Sequence, residues 1–146
     1  MKKILLWTII ILVAIQLIPV DRTNKPVRTQ DNFVDIYKTS PQIREILKNA
    51  CYDCHSDETK YPSYSYIAPI SWVLKDHVNQ GREHLNFSKW GTYNKDLTTN
   101  ALEKNIQTIK NYEMPMPSYI QYHPKANLTK KQREELENYF QEIMDN

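Results

Sequence analysis

The sequence predicts an all-α chain, a small helical domain preceded by an N-terminal transmembrane helix. Three observations carry this expectation. Apolar residues recur at spacings of three and four in several stretches, and no stretch alternates with the period of two that half-buried strands require. The chain has only two glycines in 146 residues, too few for a fold built on many tight turns. With 40% hydrophobic residues, a chain of this length can bury one core, so one compact domain is expected.

Lys2 and Lys3 open the chain and precede an uncharged run from Ile4 to Val20, interrupted only by Thr8, Gln16 and Pro19. As one helix that run would span about 25 Å, near the lower limit for crossing a bilayer. A cleaved signal peptide would be followed by small residues at its cleavage site. Gln16-Leu17-Ile18-Pro19-Val20-Asp21 offers no such pattern, and no cysteine follows the run for lipidation. Residues 1–20 are therefore read as a retained membrane anchor or uncleaved signal, with the lysines on the cytoplasmic side. Residues 21–39 carry Asn, Thr, Gln and Pro26 without apolar periodicity, which reads as a tether. The domain itself is placed at 40–146.

Ser40-Pro41 reads as an N-cap with proline at the first helical position, and Ile43, Ile46, Leu47 and Ala50 follow at helical spacing. That helix runs into Cys51-Tyr52-Asp53-Cys54-His55, which holds both cysteines of the chain. Positions i, i+3 and i+4 of a helix share a face, so two thiols and an imidazole can meet one macrocycle. Such a pentad predicts a covalently attached haem c, bound through Cys51 and Cys54, with His55 as the proximal iron ligand. A thioredoxin-like redox pair would sit at a strand-to-helix junction, and no strand run precedes Cys51. A structural zinc site would need four ligands, whereas only scattered His77, His84 and His123 remain. A disulfide between cysteines three apart would close a very small loop in unfavourable geometry.

Residues 56–66, with Pro62 among tyrosines and serines, read as a loop near the haem edge. Pro69 opens a second helix, with Ile70, Val73, Leu74, His77 and Val78 on one stripe and Gly81 as its expected stop. Thr98 or Thr99 is the expected cap of a third helix with Leu102, Ile106 and Ile109 on its apolar face. Thr129 with Gln132 forms a capping box for the last helix, whose buried face is Leu136, Tyr139, Phe140, Ile143 and Met144. Between the last two helices, Glu113-Met114-Pro115-Met116-Pro117 reads as a stiff non-helical strap. A methionine thioether is a usual partner of histidine on the iron of electron carriers. Residues two apart in an extended strap point to opposite sides, so one methionine is expected to ligate. Met114 is the predicted distal ligand, with Met116, His77 and His123 as alternatives, and the opposing reading makes both methionines apolar packing. Trp72, Arg82 and Tyr119, with Asn86 and Trp90, are candidates to contact the haem edge or its propionates.

The ordered set Cys51-x-x-Cys54-His55, Pro69-x-Ser71-Trp72, His77-Val78-x-x-Gly81-Arg82, Leu85-Asn86-Phe87-Ser88-x-Trp90, Met114-Pro115-x-x-x-Tyr119 and His123-Pro124 resembles the bacterial haem-binding domain family of cytochrome c-like proteins. The resemblance runs from about Asp31 to the C-terminus. It implies a small, predominantly helical monohaem domain of cytochrome c-like character, attached to a membrane by an N-terminal hydrophobic segment. It includes Met114-Pro115, which favours that methionine over Met116, and it spans His77 and His123.

Haem attachment of this type operates outside the bacterial inner membrane, so the expectation is a single-pass inner-membrane protein with its haem domain in the periplasm. Without Lys2 and Lys3, the remaining Lys and Arg equal the 17 Asp and Glu, and no basic stripe points to nucleic acid. The expected partners are redox proteins of a respiratory chain, with the membrane contacted through residues 4–20. One-electron transfer is the leading function, and a haem sensor with a labile sixth ligand is the alternative. A peroxidase-like enzyme would need an open distal site with a positioned acid or base, which nothing in the sequence selects.

Overall fold

The computed structural model describes residues 1–145, and every regular element among them is helical. Eight α-helices follow in order: α1 Lys2–Ala14, α2 Phe33–Ile36, α3 Pro41–Ala50, α4 Tyr52–His55, α5 Ile70–His84, α6 Lys95–Lys110, α7 Pro117–Tyr122 and α8 Lys130–Asp145. Short 3-10 turns occupy several of the connections.

The N-terminal segment departs from expectation. α1 has 13 residues, about 20 Å of helix against a hydrocarbon core of about 30 Å. Among the described residues no helix is long and apolar enough to cross a membrane. The reason lies at its end, where the chain tightens into a 3-10 turn at Ile15–Leu17 and docks on the domain. The Gln16 amide donates to the Ala68 carbonyl and accepts from the Ala68 N–H, both at 3.0 Å. Trp72 Nε1 donates to the Ile18 carbonyl at 3.2 Å. The transmembrane helix, the single-pass inner-membrane location built on it and the membrane contact through residues 4–20 are corrected on this ground.

The stretch 21–39 also does more than tether. Phe33 and Val34 on α2 are fully buried in the main core. Phe33 is ringed edge-on by Phe87, Trp90, Tyr139 and Phe140 at 4.8–6.2 Å. Short apolar pairs of this kind carry no periodicity, which is why the sequence alone reads them as linker.

The cap chemistry explains the boundaries. Ser40 Oγ accepts from the Ile43 N–H and Pro41 fills the first turn of α3. Thr129 and Gln132 form the reciprocal capping box before α8. α6 begins earlier than expected because Asn94, not Thr98 or Thr99, supplies the acceptor, its Oδ1 taking the Leu97 N–H at 2.9 Å. α6 and α8 pack on each other through Leu102, Ile109, Leu136 and Phe140, all buried.

Gly81 is not the stop of α5, which continues to His84. It is instead a contact point: a Cβ there would lie 2.6 Å from the Cys54 carbonyl oxygen and 3.0 Å from its carbon. A side chain at 81 would hold α5 away from α4, so glycine here sets the distance between the pentad and the helix behind it.

Candidate functional site

α3, α4, α5, α7 and the strap before α7 enclose a cleft of about 280 Å³, a size at the lower end of small-molecule sites. α4 contributes Asp53, Cys54 and His55, and α5 contributes Ile70, Val73, Leu74, His77, Gln80, Gly81 and His84. Met114, Pro115, Met116, Ser118, Tyr119 and Tyr122 line the cleft as well, together with Ala50 and Tyr64. Ile70, Val73 and Tyr122 are at least half exposed, so the cleft stays open along one edge.

His55 is held from behind. Its Nδ1 lies 2.9 Å from the Gly81 carbonyl oxygen and 3.3 Å from that of Leu85. Carbonyls only accept, so Nδ1 carries the ring proton and Nε2 keeps its lone pair. Burial disfavours the imidazolium and brings the His55 pKa below its ordinary value, against the opposing pull of the two carbonyls. The ring is therefore neutral, with its tautomer fixed, which is the form that ligates a metal.

The pentad makes a single turn, since the amides of Cys54 and His55 both donate to the Cys51 carbonyl, at 3.2 and 2.9 Å. Cys54 borders the cleft, whereas Cys51 sits at the junction of α3 and α4 against the main core. Neither cysteine is in a disulfide. Burial pushes the Cys51 thiol up to about 12 and that of Cys54 up to about 11, so both are protonated near neutral pH. No group of three or more His, Cys, Asp or Glu that could hold a metal ion occurs among the described residues.

Met114 and Met116 both border the cleft. The expected opposition of residues two apart does not hold, because the strap bends at Pro115 and Met116 already serves as N-cap of α7. The Met114–Pro115 peptide is cis. The strap is pinned along its length. The amides of Glu113 and Met114 donate to the Thr108 carbonyl, at 2.9 and 3.2 Å, and the Met116 carbonyl accepts from Tyr119 and Ile120.

The histidines divide. His77 borders the cleft from α5, and so does His84; both are exposed. His123 is turned away, its Nε2 2.7 Å from the Tyr64 hydroxyl and its ring stacked on Tyr119 with centroids 4.2 Å apart. Tyr119 lines the cleft and donates its hydroxyl to Asp53 Oδ2 at 2.7 Å. Burial, reinforced by Asp53, raises its pKa.

Trp72 and Arg82 are not brought to the cleft. Trp72 is spent on Ile18, and Arg82 works behind the pentad. Arg82 Nε donates to the Ser56 carbonyl at 2.7 Å, Nη2 donates to Thr59 Oγ1 at 2.9 Å and Asn24 Oδ1 at 2.7 Å, and the guanidinium lies 3.5 Å from Asp57. Asn86 likewise bonds Asp57 at 3.2 Å, and Trp90 donates to the Tyr37 hydroxyl in the core. Residues that the sequence reading passes over include Tyr64, Gln80, Ser118 and Tyr122. For α5 the signal was present, because 70, 73, 74, 77, 81 and 84 lie on one helical face; Gly81 is its smallest member and the one nearest α4.

A neutral imidazole of fixed tautomer, with Cys54, Met114 and Met116 in the lining of the same largely apolar cleft, is a donor set that fits haem. A family model described as a haem-binding domain matches residues 10–142. No curated protein and no solved structure matches the chain.

Proposed function

This chain belongs to the haem-binding domain family, and we propose that it carries single electrons on one haem c bound through Cys51 and Cys54. Each thiol would add across one vinyl group, its hydrogen passing to the neighbouring vinyl carbon as the S–C bond forms, so attachment consumes no oxidant. Bound haem supplies a one-electron iron couple.

The observation that supports the reading most is the double carbonyl seat of His55 Nδ1, on Gly81 and Leu85. A backbone seat cannot swing away, so Nε2 is presented with its lone pair free and the proximal bond needs little reorganisation. Ile70, Val73 and Leu74 give the same cleft apolar lining. Met114, gripped by its own amide and carbonyl, is proposed as the sixth ligand. The open edge at Ile70, Val73 and Tyr122 leaves a path for electrons to a redox partner through a small, short-lived contact. This role requires no substrate site, and the chain is read as a carrier module rather than an enzyme.

A second reading, a sensor with a displaceable sixth ligand, is favoured by one observation: Met114, Met116 and His77 all border the cleft, so several donors can compete. Visible and near-infrared spectra of the haem-loaded protein test both readings. The carrier reading expects the weak near-infrared band of sulfur-to-iron ligation, retained in Met116→Ala and lost in Met114→Ala, with slow carbon monoxide binding to the reduced protein. Persistence of the band in Met114→Ala transfers the role to Met116. Its absence from the unmodified protein transfers it to His77, and rapid carbon monoxide binding selects the sensor.

A further inference from the structure

We propose that Arg133, on α8 and outside the cleft, is the positioning residue for the methionine strap and thereby for the sixth iron ligand. Arg133 is 5% exposed, an unusual place for a guanidinium, whose burial is costly unless it is paired. Its hydrogen bonds among the described residues go to backbone rather than to a carboxylate. Its Nη1 donates to two backbone carbonyls, Ile109 at 3.0 Å and Met114 at 2.7 Å. Its guanidinium carbon also stands 4.3 Å from the centre of the Tyr112 ring.

The three partners bracket the start of the strap. Ile109 lies in the last turn of α6, and its carbonyl also accepts from the Tyr112 N–H at 3.1 Å. Tyr112 is at the bend that follows, with φ of 59°. Met114 is the first methionine. One buried cation therefore ties the end of α6, the bend and the proposed ligand together, and α8 carries that cation on its core-facing side beside Leu136 and Phe140. Hydrogen bonds from a charged donor to carbonyls in a dry setting are stronger than neutral ones. With the Met114 amide already on Thr108, the Arg133 bond fixes the other side of the same residue, which restricts where its side chain can start.

This inference rests on the reading of Met114 as the sixth ligand, and two readouts keep the two apart. The first uses the haem-free chain: amide hydrogen exchange at Glu113 and Met114 in Arg133→Met and Arg133→Lys. Exchange should rise about tenfold or more in Arg133→Met, the scale of one lost bond from a charged donor. Arg133→Lys, which keeps a cation able to reach one carbonyl, should fall between it and the unmodified chain, and it carries the test if Arg133→Met does not fold. The second uses the haem-loaded protein: the near-infrared sulfur-to-iron band should weaken and imidazole should bind faster in the same variants. Unchanged exchange at both amides overturns the role of Arg133 in holding the strap. Faster exchange with an unchanged band and unchanged imidazole binding overturns its role in setting the ligand. A band missing already from the unmodified protein defeats the Met114 reading, while the exchange result still decides whether Arg133 holds the strap.

Discussion

At the scale of single residues, Gly81 and His55 form a pair whose chemistry depends on closeness. The Gly81 carbonyl seats the imidazole, and the absent Cβ of Gly81 lets α5 approach the Cys54 backbone. An alanine there meets backbone rather than a flexible side-chain end, so the helix itself must shift. Gly81→Ala is expected to cost about 1–3 kcal/mol, as overpacked sites do, and to reduce haem content. Thermal unfolding of the haem-free chain and the haem-to-protein ratio check both. His55 and the two cysteines were legible in the sequence because their spacing is itself the signal. Gly81 was legible as important but not for the right reason, since a glycine that ends a helix and one that faces a neighbouring backbone read alike in one dimension. Arg133 was not legible at all, because a basic residue on an amphipathic helix looks solvent-facing until its carbonyl partners are known.

At the scale of elements, caps written in local sequence were readable and long-range pins were not. Ser40 and Thr129 cap as their neighbours dictate, whereas α2, four residues long, is kept by a contact nine positions away. Arg44 Nη2 donates to the Val34 carbonyl and to Asp35 Oδ1, both at 2.9 Å, and Asn32 Nδ2 donates to Asp35 Oδ2. Burial alone would raise the Asp35 pKa, but these hydrogen bonds and the Arg44 charge outweigh it and hold the carboxyl below its ordinary value. A depressed carboxyl pKa stabilises the fold above the unfolded value, about 3.9 for Asp, and that contribution is lost as pH falls through the lower folded value. Asp35→Asn should therefore lower the unfolding temperature by a constant amount near neutral pH, with the gap to the unmodified chain closing in acid. Unfolding temperatures measured from pH 7 down to pH 2 give the answer, and a gap that persists unchanged to the acid end would refute the assignment.

At the scale of the whole molecule, the segment before α3 belongs to the core that supports the cleft. Phe33 is 0% exposed and touches rings from the 3-10 turn Phe87–Thr92 and from α8. Phe33→Ala should cost about 3–5 kcal/mol in denaturant unfolding, and a small effect would return residues 21–39 to the role of a linker. The all-helical class followed from periodicity and from the scarcity of glycine. The length of α1 did not, because an apolar run says nothing of Gln16 turning to clasp Ala68 and ending the helix early. The proposed function requires one covalent haem per chain, held at the pentad Cys51-Tyr52-Asp53-Cys54-His55. Intact mass and the pyridine haemochrome spectrum, taken before and after acid–acetone extraction of the haem-loaded protein, test that most directly. Retention of the mass of one haem after extraction, lost when Cys51 and Cys54 are both replaced by serine, is the predicted result. Complete extraction of haem from the unmodified protein would contradict it.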